Sequence, residues 1–176
     1  DVAVYPLAHI LLGSNGAPPS RVAVTGAAIA GTGDARVDWS ATASLSGFPA
    51  PADPCLTASV LITLRASTPE EAVYTGTKGI LRIHRAAHTP TRLTLKIFSA
   101  RDASVEESFD FPLPPEPEGA VLPWNYPGSQ GFIYEAQAVV QALKEGRTEC
   151  ADWTHAESVA CMELVDAIRQ QVLKEC

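Results

Sequence analysis

The sequence predicts an α+β domain: an open, largely antiparallel β-sheet with helices packed on one face. Three observations carry that expectation. β-Branched segments separated by Gly, Pro, Ser and Asp fill residues 21–101, two helical apolar stripes lie near the end of the chain, and a proline-dense stretch stands between. With 176 residues, 46% of them hydrophobic and 19% charged, the chain has the length of one ordinary domain and enough apolar material for a continuous core. A single domain over residues 1–176 is the expectation.

A short helix opens the chain over residues 1–12, where Val4, Leu7, Ala8 and Leu11 recur at helical spacing and Gly13 is placed to end the run. Pro6 fits such a helix only in its first turn, where a missing N–H costs little. Strands follow at 21–25, 35–45, 56–64, 72–74, 79–84 and 93–98. Val60, Ile62 and Leu64 alternate with Leu61, Thr63 and Arg65, and Leu93, Leu95 and Ile97 alternate with Thr94 and Lys96. Each of these strands therefore has one apolar and one mixed face, as an antiparallel sheet covered on one side requires. Pro112, Pro114, Pro115, Pro117, Pro123 and Pro127 then rule out a helix or a central strand and mark a long irregular connection. Beyond it, Phe132, Ile133, Ala136, Val139, Val140 and Leu143 form an amphipathic helix face that ends at Gly146. Thr154 and Glu157 have the spacing of a capping box, ahead of a second stripe of Cys161, Leu164, Val165, Ile168 and Val172.

Charge excludes several kinds of partner. Thirteen Lys and Arg against twenty Asp and Glu leave a net charge of -7, which disfavours nucleic acid and anionic membrane surfaces. The apolar stretches fall far short of the ~20 residues of a membrane span. Cys55, Cys150, Cys161 and Cys176 have no CxxC pairing and no His at a zinc spacing, so they read as reduced thiols of a cytoplasmic protein, with a disulfide as the alternative. No secretory leader is expected from residue 1 onward, and the chain reads as a piece of something longer.

Most motifs of reactive chemistry are missing. His84 and His88 have Arg82 and Arg85 beside them and no carboxylate or Cys spaced to complete a metal site, so no metal is expected. Gly31-Thr32-Gly33 and Gly76-Thr77-Lys78-Gly79 match neither a P-loop nor a dinucleotide fingerprint and read as hairpin turns. No GxSxG elbow is present to expose a nucleophilic Ser. Asp1 and Tyr5 differ, because four residues of helix place a carboxylate and a phenol on one face, one turn apart. A phenol trades protons with a substrate hydroxyl only if its acidity is raised by about three pKa units, or roughly 4 kcal/mol, and a neighbouring ammonium is the usual means. The alternative for Tyr5 is a half-buried packing residue with its hydroxyl at the surface.

At these residues the chain resembles a known family. Asp1-Val2-Ala3-Val4-Tyr5-Pro6 resembles the Asp-x-Gly-x-Tyr helix start of the dihydrodiol dehydrogenase and D-xylose dehydrogenase (NADP) branch of the Gfo/Idh/MocA oxidoreductases. Residues 131–136, 143–149, 155–158 and 162–169 resemble the closing helix pair of that family in order and spacing, and residues 75–83 resemble the turn of its central sheet. The resemblance spans nearly the whole chain. It implies the C-terminal substrate-binding and oligomerisation domain of such an enzyme, with the fold of glyceraldehyde-3-phosphate dehydrogenase-like C-terminal domains, and an N-terminal Rossmann domain that is absent from this chain.

The resemblance also implies the chemistry. Tyr5 becomes the acid/base for the substrate hydroxyl and Asp1 its orienting, substrate-binding neighbour. The ammonium comes from a Glu-Lys-Pro lysine of the Rossmann domain, which is also the main binding site for NADP or NAD. The implied reaction moves a hydride between the nicotinamide and a sugar, polyol or trans-dihydrodiol, and this piece alone is expected to be inactive. Trp124, Asn125 and Tyr126 stand where the branch has an aromatic-Asn-aromatic run; they line the substrate entrance or pack under the proline-rich loop. Ala3 replaces the usual Gly and adds a methyl group at the helix start. A homodimer through the open face of the sheet is expected, and the rival reading is a non-catalytic binding or scaffold domain of the same fold.

Overall fold

A computed structural model describes residues 2–31, 36–50, 52–100, 103–116, 118–119 and 128–174. In chain order the elements are helix α1 (Val4–Gly13), strands β1 (Arg21–Ala30), β2 (Val37–Ser46), β3 (Thr57–Thr63), β4 (Ala72–Gly76), β5 (Gly79–Ile83), β6 (Arg92–Ala100) and β7 (Ala103–Asp110), then helices α2 (Phe132–Lys144) and α3 (His155–Lys174). Every pairing between described strands is antiparallel, so the expected α+β class with an open antiparallel arrangement is borne out. The strands form two sheets rather than one, ordered β1-β2-β3 and β4-β5-β6-β7. The break falls where Pro69 lacks an N–H for a ladder and Glu70 takes a left-handed φ of 53°. The chain accordingly divides into two compact units, Asp1–Thr68 with His155–Cys176, and Pro69–Thr154.

The first unit is a helix-covered sheet. Along β2, Ala41, Ala43 and Leu45 are buried while Ser40, Thr42 and Ser44 take the other face, the period-two pattern of a strand covered on one side. Helix α3 packs on β1 and β2 and also against α1. Its buried residues are Ala160, Cys161, Leu164, Ile168 and Val172, close to the stripe read from the sequence. Thr154 stands immediately before α3, at the N-cap position that the capping-box spacing predicts. Helix α1 contributes Leu7 and Leu11, four residues apart and both fully buried. It ends at Gly13, as the sequence predicts, and the left-handed exit follows. Asn15 (φ 55°) and Gly16 (φ 75°) make the left-handed exit, the Asn15 N–H donates to the Leu12 carbonyl at 3.3 Å, and the Gly16 N–H donates to the Leu11 carbonyl at 2.8 Å. This is the Schellman pattern, which places the stop signal two to three residues after the glycine read from the sequence.

In the second unit, β4 and β5 form a hairpin in which Gly76 faces Gly79, so the Gly76-Thr77-Lys78-Gly79 turn is as expected. A Cβ at Gly79 would overlap the Lys96 carbonyl oxygen of β6, a backbone atom that cannot swing away. Strand β7 was not among the expected strands. It carries Glu106 and Glu107, lies at the edge of its sheet and is exposed at all but one position, so it has no apolar alternation to read. Helix α2 spans the predicted segment, yet its apolar stripe is exposed: Phe132 is 63% and Leu143 67% accessible. Within its own unit α2 touches the 3-10 turn at Ser129–Gly131 and none of the strands.

Candidate active site

The geometry of α1 decides what Tyr5 can do. At about 100° per residue, Tyr5 lies roughly 200° around the helix from Leu7, so the register that buries Leu7 and Leu11 turns Tyr5 away from the core. Tyr5 is accordingly 53% exposed, in the first turn of the helix. The start of α1 is held by packing. Ala3 is buried at 9% accessibility, its carbonyl accepts from the Leu7 N–H at 3.2 Å, and the Cys161 thiol of α3 lies 3.9 Å from the Val4 carbonyl. Ala3 has φ -63° and ψ -27°, an ordinary right-handed conformation, so the backbone here makes no demand for glycine.

Of the residues predicted for the site, Asp1, Trp124, Asn125 and Tyr126 lie outside the described residues. The chain just after the last three is described. Gly128 takes φ 84°, and a Cβ at Gly131 would sit 2.8 Å from Thr89 Cγ2 and 3.5 Å from Leu113 Cδ2. Thr89 and Leu113 therefore press directly on the backbone that leads into α2. The Gln130 Oε1 is buried there with no hydrogen-bond partner among the described residues.

Other reactive groups are less suited to proton transfer. Burial pushes the Tyr74 phenol above its ordinary pKa, which opposes use as a base near neutrality. Burial likewise pushes the Cys161 thiol up and keeps it protonated. His84 Nε2 lies 2.6 Å from the Thr94 hydroxyl on the neighbouring strand. Among the described residues no group of three His, Cys, Asp or Glu is placed to hold a metal ion. Cys55 is exposed and Cys161 buried, and both are free thiols, as is Cys150.

A nicotinamide dinucleotide is held by its pyrophosphate, most often at a glycine-rich turn between a strand and a helix in a parallel βαβ unit. Among the described residues both sheets are antiparallel, and the glycine turn at Gly76 and Gly79 joins two strands rather than a strand and a helix. These residues do not fit the pyrophosphate. What they offer is a phenol on a firmly packed helix start.

Sequence reading passed over one residue that holds this unit together. Gln171 of α3 donates from Nε2 to the Val22 carbonyl at 2.9 Å and accepts at Oε1 from the Val24 N–H at 3.0 Å. Its amide takes the place of a neighbouring strand along the free edge of β1. A glutamine inside a helix carries no sequence signal of that role.

The fold is one already seen in a solved structure. Its likeness is to a mutant of KijD10, a 3-ketoreductase from Actinomadura kijaniata solved in complex with TDP-benzene and NADP, with a TM-score of 0.59 over 97% of this chain and 46% of that one. At 19% identity that likeness is one of fold. In sequence the chain is similar to the trans-1,2-dihydrobenzene-1,2-diol dehydrogenase of Danio rerio, 28% identical over 173 residues, and to that of Homo sapiens, 24% identical over 172 residues, each match covering 98% of this chain. The resemblance to the dihydrodiol dehydrogenase branch is thereby borne out. No family model matches the chain. The chain spans about half the length of these relatives, 45% in both cases.

Proposed function

We propose that this chain is the substrate-binding and oligomerisation portion of an NAD(P)-dependent oxidoreductase that moves a hydride between a nicotinamide and a sugar, polyol or trans-dihydrodiol. The observation that carries the reading is similarity to trans-dihydrodiol dehydrogenases over 98% of the chain. The exposure of Tyr5 on α1 supports it, because a phenol at the surface of a helix is within reach of a substrate hydroxyl. The nicotinamide, bound by a separate Rossmann portion, supplies the hydride acceptor or donor. Tyr5 takes the substrate hydroxyl proton at its phenol oxygen as the carbonyl forms and returns it in the reverse direction. In this reading Asp1 orients the hydroxyl, and Trp124, Asn125 and Tyr126 line the approach. The ammonium that stabilises the phenolate comes from the nucleotide-binding portion, so residues 1–176 alone are inactive. The protein works in the cytoplasm as a homodimer.

Replacing Tyr5 tests the assignment in the full-length protein. Tyr5→Phe keeps the ring and removes the proton, so kcat falls by about 100-fold or more while cofactor affinity stays nearly unchanged. Wild-type turnover in Tyr5→Phe rejects the role.

A further inference from the structure

We draw no further inference here: the strongest candidate, the exposed apolar stripe of helix α2 formed by Phe132, Ile133, Val139, Val140 and Leu143, carries nothing because nothing in the structure shows what covers it.

Discussion

Replacing Gln171 by Leu removes the hydrogen bonds that tie α3 to the free edge of β1 while keeping a side chain of similar size and helix propensity. Two bonds to β1 are lost, at 2.9 and 3.0 Å, and they differ in cost. Each contributes about 1 kcal/mol net, but Val24 is only 8% exposed, and stranding its N–H adds a desolvation penalty of roughly 1–3 kcal/mol. With partial relief from water entering at the sheet edge, the expected loss is about 2–4 kcal/mol. For a chain of this size that is a fall in Tm of roughly 4–16 °C. The neighbouring Gln170 is exposed, so Gln170→Leu serves as a control and should stay within about 0.5 kcal/mol of wild type. Thermal melts followed by far-UV circular dichroism compare the two variants, and amide hydrogen exchange reads Val24 directly. If Gln171→Leu melts with Gln170→Leu and exchange at Val24 is unchanged, the amide clamp is not part of what holds the unit together.

Further outcomes follow from the same structure. On the face of the first sheet away from α3, Thr25 and Thr42 place their hydroxyl oxygens 3.0 Å apart and Leu61 is 56% exposed; if this is the dimer face, Thr42→Arg shifts sedimentation from dimer to monomer, and a strict monomer in the wild type refutes the proposed association. The Gln141 amide, followed by hydrogen bonding and charge from Arg147, holds the Glu145 carboxyl below the usual range, so its contribution to stability is present above the ordinary Glu pKa and is lost as pH falls through the lowered one. An NMR titration of the Glu145 carboxyl checks this, with Arg147→Gln expected to move the midpoint upward. For the thiols, a maleimide reagent should modify exposed Cys55 at least about 100-fold faster than buried Cys161, the ratio set by an opening cost of roughly 3 kcal/mol. Equal rates would mean that α3 does not stay docked.

Elements with strong periodicity were legible in the sequence, and those set by tertiary context were not. Helices α2 and α3 follow from stripes at helical spacing, and the β4–β5 hairpin follows from its glycines. Strand β1 runs on through Gly26-Ala27-Ala28-Ile29-Ala30, where small residues of low strand propensity are held by pairing with β2 across two register shifts. Strand β7 is held in the same way by β6, despite its acidic pair. The division into two sheets depends on Pro69 and on the left-handed Glu70, and the second of these has no signature in the residue itself. At the site, the helix carrying Tyr5 was legible from Leu7 and Leu11. Its catalytic meaning came only from the family resemblance, because an exposed phenol on a helix is chemically silent until a substrate and an ammonium are set beside it.

Residues 69–154 are inserted between β3 and α3, so the helix that seals the first unit arrives long after the strands it covers. During synthesis the nascent β1–β2 ladder must wait on the ribosome with its greasy side bare. Closing a flexible loop of that length carries an entropic toll of roughly 4 kcal/mol by the logarithmic law for chain closure, which an intervening unit folded in advance would lessen by bringing its own ends together. Premature termination within the insert would therefore wreck the unit translated before it, leaving an unlidded sheet for chaperones to hold.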